Sequence, residues 1–317
     1  MTNSMTFYEE QNPKDISISQ ILPALNKFLP NTNKNDIKFL YHGTYNVFEV
    51  KNDFIFRIPD ESLRNTKGIQ LIQREDKILK LIKPHLSILI PDPVFIDLTR
   101  NTPLMGYKKI PGISLSKFIH KIDNTYLIKL AKSIGRFLNQ LHNKKLVKIY
   151  TDNFGVDYTN FIDSYHDVWE KEYREVKSIV WSFVEDYQKA WIQTLYTRFL
   201  SKISDFTFEP TIVHGDFDTS NILVDPISCN LSGIIDFEET KIFDPAVDFL
   251  FFREGKLFLN ELMATYNGVI DKYFVERMQF TFSRAFIPYI LYGANNNIPT
   301  LIEAGLQLLS ERMTIFP

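Results

Sequence analysis

The chain has 317 residues, 44% of them hydrophobic, enough to bury a sizeable core and to build two lobes rather than one small module. Its formal net charge is −2, from 36 basic and 38 acidic side chains, which argues against a nucleic-acid partner and against an electrostatic tail. The single cysteine, Cys229, excludes an internal disulfide, the polar stretch 1–15 lacks the regions of a signal peptide, and no apolar run approaches a membrane span, so a cytoplasmic protein without membrane contact is expected.

A short helix is expected over "SISQILPALNKFL", followed by an antiparallel meander of two or three strands, "IKFLYH", "NVFEVK" and "DFIFRIP", separated by residues 43–46 and by Asn52-Asp53. From Gln70 to Ile82 the apolar period becomes helical, and "PDPVFIDL" and "LMGYKKI" return to strand, ending at Pro111-Gly112. Beyond Gly112 the pattern is mostly helical: Leu127, Leu130, Ile134, Phe137, Leu138 and Leu141 share one face, and further helices begin near Asp163 and Phe258. Short strands interrupt it over residues 211–237. These elements predict an α+β chain of two lobes around a cleft, divided near Tyr107, with residues 1–107 in one lobe and 108–317 in the other.

The stretch "HGDFDTSNILVDPISCNLSGIIDF" carries the chemistry. It reads as two strands, "NILVD" and "LSGIID", joined at "PISCN", a hairpin that brings Asn221 near Asp236. An Asn and an Asp supply oxygen ligands of the kind magnesium takes beside water and phosphate, and Asp216 just before them can accept a proton from an attacking hydroxyl. Taken singly, each of these residues also reads as a turn cap.

Here the sequence resembles the aminoglycoside phosphotransferases and their small-molecule kinase relatives, which share the bilobal protein-kinase-like fold. The resemblance rests on His214-Gly215-Asp216, on Asn221 five residues after the Asp, on Ile235-Asp236-Phe237, and on "DPAVDF" at residues 244–249. It implies that Asp216 orients and deprotonates the substrate hydroxyl, that Asn221 and Asp236 bind Mg2+, and that His214 and Asp248 brace the loop. For His214, a general base or metal ligand is the alternative. Asp218, Glu238 and Glu239 are read either as substrate contacts or as solvated loop charges.

The resemblance extends to the first lobe. "HGTYNVFEV" falls where the family has its phosphate-covering turn, so Gly43, Thr44 and Asn46 are expected at the nucleotide, with Gly43 letting the backbone turn sharply; read alone, residues 43–46 form an ordinary hairpin turn. Arg57 stands where kinases usually hold a lysine paired to phosphate, a departure from the family's pattern, and an exposed strand residue is the alternative reading. On the helix "QLIQREDKILKLI", Glu75 falls in the middle of the arc made by Leu71, Ile72, Ile78, Leu79 and Ile82, an expensive place for a carboxylate unless it meets a cation, and Arg57 is the candidate. Arg74, Asp76, Lys77 and Lys80 lie off that arc and are expected on a solvated face. By register with the family's hinge, Tyr107 backs the base pocket and residues 108–110, from Lys108 to Ile110, offer backbone groups to the base, which leans the donor toward GTP over ATP. Alternatively, Tyr107 packs into the lobe core.

Six residues separate Phe237 from Asp244, too few for the activation segment that holds a peptide in protein kinases, so a small-molecule hydroxyl is expected rather than a protein substrate, and a monomer is expected. From Asp236 to Glu261 there are seven acids against three bases, and "DSYHDVWEKEYREV" adds acids and aromatics; an acidic, aromatic wall suits a polycationic aminoglycoside. The alternatives are a kinase of another small alcohol (macrolide, choline-like or homoserine-like) and a nucleotide-binding scaffold without catalysis.

Overall fold

The structure, a computed structural model, describes residues 16–64, 66–99 and 102–317; the polar start lies outside them. In chain order, helix α1 (Ile18–Phe28) precedes strands β1 (Ile37–His42), β2 (Tyr45–Val50) and β3 (Phe54–Pro59). Helix α2 (Thr66–Ile82), strands β4 (Pro93–Asp97) and β5 (Leu104–Lys108) and the short β6 (Ile113–Ser114) follow. Next come α3 (Asn124–Leu141), α4 (Lys144–Phe154), α5 (Phe161–Ser178) and α6 (Asp186–Leu200). Four short strands, β7 (Thr211–Val213), β8 (Ile222–Val224), β9 (Leu231–Ile234) and β10 (Lys241–Phe243), precede α7 (Lys256–Thr265), α8 (Phe274–Ser283), α9 (Ile287–Asn295) and α10 (Pro299–Ile315). The antiparallel sheet with its helix and the mostly helical remainder are those expected from the periodicity. Among the described residues, no helix is long and apolar enough to cross a membrane.

The chain groups into two compact units. Of the described residues, one takes 16–137 and 219–240 and the other takes 138–218 and 241–317. These extents differ from a division at 107, because 108–137 and 219–240 pack with the amino-terminal sheet. Ile234 N–H donates to the Leu89 carbonyl at 3.0 Å. Gly233 allows that approach: a Cβ there would lie 2.6 Å from Ile110 Cγ2 and 2.9 Å from Leu89 O.

In the sheet-bearing unit, five antiparallel strands run in the order β1-β2-β3-β5-β4. Alternation along β2, β3 and β5 sends Phe48, Val50, Phe56, Ile58 and Leu104 to one face, where Ile21, Ala24 and Leu25 of α1 cover them. Tyr45, Val47, Ile55, Met105 and Tyr107 lie on the other face with Ile72 of α2. A second, three-stranded sheet, β6-β8-β9, carries the hairpin read from the sequence, with Ile222 opposite Ile234.

The helical unit has an aromatic core. Tyr165, Trp169 and Tyr173 of α5 recur at helical spacing and bury against Tyr196 and Phe199 of α6 and Phe280 of α8. Phe199 stacks on Phe280 with ring centroids 3.6 Å apart. These α5 aromatics were expected on a wall facing a cation; their burial places them in the core instead, because period-3.6 apolar spacing marks the packed face of a helix.

Candidate active site

Arg57 lies on β3, on the face covered by α2, and is only 2% exposed. Its Nη1 donates to Glu75 Oε1 at 2.5 Å, and Glu75 is itself 1% exposed. The partner expected from the helical arc is therefore the one the fold supplies, and the exposed-strand reading of Arg57 does not hold. Nη2 of the same guanidinium donates to Asp236 Oδ1 at 2.9 Å and reaches Glu238 Oε2 at 3.4 Å, and its plane lies over the Tyr45 ring, 4.1 Å from the centroid. Burial works against the charge, but Glu75, Asp236 and Glu238 outweigh it and hold the guanidinium above its ordinary range.

Asp236 follows β9 with φ 69°, a left-handed backbone rare outside glycine. Ile235 N–H donates to the Asn221 carbonyl at 3.0 Å, so Asn221 and Asp236 stand at the adjoining ends of β8 and β9. Their oxygens are the hard donors that Mg2+ takes, so this pair fits such an ion. Glu238 is drawn into the same cluster. Burial, then the Asp236 charge, pushes its carboxyl up to about 8, and the Thr44 side chain hydrogen-bonds to it. Glu239 is exposed.

At the β1–β2 turn, Thr44 O accepts from Asp60 N–H at 2.9 Å, and Asn46 is buried. The expectation that Gly43 is needed for a sharp turn does not hold: it has no positive φ, and a Cβ there would meet nothing within 4 Å. Tyr107 is 5% exposed and packs in the α2-side cluster opposite Ile55, as the core alternative described. Lys108 is exposed and Ile110 buried.

Arg74 departs from the solvated face expected of it. It is half-buried, and its Nη1 and Nη2 donate to the Glu238 and Thr240 carbonyls, both at 2.5 Å. The signal was in the spacing: position 74 lies three residues after Leu71 and four before Ile78, on the border of the buried arc. Asp76 is also largely covered and pairs with Lys80 at 2.7 Å.

In the helical unit, β7 pairs with β10, Ile212 opposite Ile242, and leads into His214-Gly215-Asp216. Asp248 is 0% exposed and accepts His214 N–H at 2.8 Å and Gly215 N–H at 3.0 Å. The backbone that carries Asp216 is thus tied down immediately before it, and Gly215 takes φ 88°. His214 is buried. A further residue, unmarked by any motif, completes the arrangement. His142 Nε2 lies 3.0 Å from Asp248 Oδ2, and its Nδ1 lies 2.9 Å from the Tyr266 hydroxyl. Nε2–H donating to the carboxylate leaves Nδ1 to accept from the tyrosine.

Asp244, counted in the sequence among wall acids, is buried. It accepts from Arg277 Nε at 2.9 Å, from the Tyr165 hydroxyl at 2.8 Å and from Ala246 N–H at 3.0 Å. With Asp248 also buried, two of the seven acids are internal braces. Asp218 keeps different company: it raises the titration of Glu254 and of Tyr289. Burial first, then Asp218, lifts Glu254 to about 7. Burial, then Asp218 and Asp216, lifts Tyr289 to about 12. Glu254 Oε2 is buried without a hydrogen-bond partner among the described residues. Nearby Arg253 is held by Glu311, its Nε donating to Oε1 at 2.5 Å.

A model of the phosphotransferase enzyme family, APH, matches residues 36–276. Among solved structures, the GDP and kanamycin complex of APH(2")-IIia is 21% identical, with a TM-score of 0.79 over 94% of this chain and 99% of that one. The streptomycin-ATP-APH(2")-IIa ternary complex is 22% identical, with a TM-score of 0.66 over 95% and 99%. Macrolide 2'-phosphotransferase MphH from Brachybacterium faecium, as apoenzyme, is 17% identical, with a TM-score of 0.68 over 92% and 98%. At these identities the likeness is one of fold, and that fold is protein-kinase-like.

Proposed function

This chain belongs to the phosphotransferase enzyme family, and from that we propose that it moves the γ-phosphoryl group of GTP or ATP to a hydroxyl of a small molecule, most readily an aminoglycoside. The observation that carries the reading is the single guanidinium of Arg57, which touches both the helix carboxylate Glu75 and the candidate metal ligand Asp236. Such a cation, held by α2 and presented at a metal-binding carboxylate, suits a polyphosphate better than it suits a structural pair alone. Nucleotide contacts come from Gly43, Thr44, Asn46, Arg57, Glu75, Tyr107, Lys108 and Ile110, and the catalytic and acceptor groups from residues after them.

Asp216 takes the proton of the acceptor hydroxyl as that oxygen bonds to the γ-phosphorus, while the bond from phosphorus to the bridging oxygen breaks and nucleoside diphosphate leaves. His214 and Asp248 hold the loop. Asn221 and Asp236 hold Mg2+, which when bound neutralises charge on the phosphates. An amine-bearing acceptor is favoured by Asp218 and by Glu254, whose Oε2 has no hydrogen-bond partner among the described residues and whose neighbour Arg253 is already neutralised by Glu311. Similar structures with bound kanamycin and streptomycin agree with that preference, and the macrolide enzyme marks the runner-up, another small alcohol.

Transfer of phosphate from GTP and from ATP to a panel of aminoglycosides, macrolides and choline tests the reading, with Asp216→Asn as control. Turnover on one acceptor class, reduced more than a hundredfold by Asp216→Asn with nucleotide binding retained, is expected. Nucleotide binding without turnover on any acceptor would leave the scaffold alternative.

A further inference from the structure

The segment that follows Asp236 is fastened to α2 by one side chain. Arg74 spreads its two terminal nitrogens over the carbonyls of Glu238 and Thr240, two residues apart, and Thr240 is buried. The planar guanidinium fork suits this, since each nitrogen meets one acceptor; a lysine ammonium offers no such fixed pair. Beside it on α2, Glu75 holds Arg57, which in turn holds the Asp236 carboxylate. The helix therefore grips the segment 236–240 twice, through main chain by Arg74 and through side chain by Glu75 and Arg57. Asp236 needs such a grip, because at φ 69° its backbone is one an L-residue leaves unless its surroundings hold it.

We propose that Arg74 is a positioning residue for magnesium: by pinning the Glu238 and Thr240 carbonyls, it keeps Asp236 in its left-handed conformation and its carboxylate aimed where the metal binds. The proposal rests on the assignment of Asp236 as a metal ligand. Both terminal nitrogens of Arg74 are taken by main-chain carbonyls, so its effect on the metal is indirect. Its removal acts on the metal requirement and not on the base or ribose, and α2 becomes the element through which donor binding and metal affinity are joined.

The experiment compares the parent protein with Arg74→Ala, Arg74→Lys and Asp236→Ala, measuring the calorimetric affinity for ADP and for GDP without Mg2+ and across a Mg2+ titration, with amide hydrogen exchange over 236–240. Residues that orient metal ligands are worth roughly 10- to 100-fold in metal affinity. Arg74→Ala should raise the Mg2+ concentration for half-maximal enhancement about tenfold, change metal-free affinity less than about twofold, and speed exchange at 236–240. Arg74→Lys, which keeps the charge and one donor, should give a smaller shift in the same direction and covers the case in which the alanine variant does not fold. A half-maximal Mg2+ concentration within about twofold of the parent in both variants, with unchanged exchange, overturns the proposal. If Asp236→Ala also leaves the Mg2+ dependence intact, the metal-ligand assignment has failed, a result distinct from failure of Arg74 alone.

Discussion

Arg57 and Glu75 meet at 2.5 Å with both side chains out of solvent, and Arg57 continues to Asp236 at 2.9 Å. The contact is asymmetric. Removing Glu75 leaves the arginine two carboxylates, whereas removing Arg57 leaves Glu75, Asp236 and Glu238 facing one another without the cation they share. Breaking a buried pair costs about 3–5 kcal/mol. Arg57→Met is therefore expected to destabilise more than Glu75→Gln in denaturant unfolding, and the double variant to cost at least about 1 kcal/mol less than the sum of the two. Strict additivity would show the residues uncoupled.

Asp248 serves two backbone N–H groups just before Asp216, so Asp248→Asn turns an amide donor toward at least one of them. A fall in kcat of more than about tenfold, with little change in the acceptor KM, is the expected outcome, because the loop loses its aim while the acceptor contacts remain. Tyr266→Phe removes only the hydroxyl that faces His142 Nδ1 and should cost about 1 kcal/mol of stability. A KM effect without a kcat effect for Asp248→Asn would place Asp248 elsewhere in the reaction.

Glu254 gives a pH signature. Burial raises its folded pKa from 4.5 to about 7, so the folded state binds a proton that the unfolded state releases. Stability from this group is complete below about pH 4.5, falls as pH rises toward 7 and is level above it, a loss on the order of 3 kcal/mol. Relative to the parent, Glu254→Gln should therefore gain stability between pH 5 and pH 8 in paired denaturation curves. Parallel curves at both pH values would mean that the carboxyl is already ionised at pH 5. Because an ammonium group bound there would favour the carboxylate, a cationic acceptor should lift stability more at pH 8 than at pH 5.

Tyr107 is packed against Ile55 and the α2-side cluster, so a change to alanine would open a cavity costing about 3–5 kcal/mol and confuse the reading of donor choice. Tyr107→Leu is the better probe. If the ring also bounds the base site, the ratio of kcat/KM for ATP to that for GTP rises severalfold; an unchanged ratio makes Tyr107 a core residue alone.

Legibility differed by the kind of contact. Runs of apolar and aromatic residues bounded by turn residues located β1, β2 and β3, each boundary lying within one residue of its expected position, because strands covered on one face by α1 and on the other by α2 read as near-continuous apolar runs cut by turns. The Glu75–Arg57 pair was legible because a carboxylate in an apolar arc demands a cation. The opposite charge at position 74 escaped, since a border position on a helix suits solvent or a neighbouring loop equally well. The α5 aromatics were misplaced because acids interleaved with aromatics along a helix look alike whether the rings face a ligand or the core; only α6 and α8 packed against Tyr165, Trp169 and Tyr173 decide it.

What the sequence determined by itself is the set of local patterns: strand and helix periods, the spacing of Asp216, Asn221 and Asp236, and the cost of burying Glu75. What only the tertiary structure decided is which residues distant in the chain share a partner. Position 142 meets 248, 74 meets the carbonyls of 238 and 240, and 244 meets 165 and 277, so that two acids of one short motif become a loop brace and a buried ion-pair anchor. The physical reason is that hydrogen bonding and ion pairing act over a few ångströms and carry no period along the chain, whereas burial acts through regular elements and does.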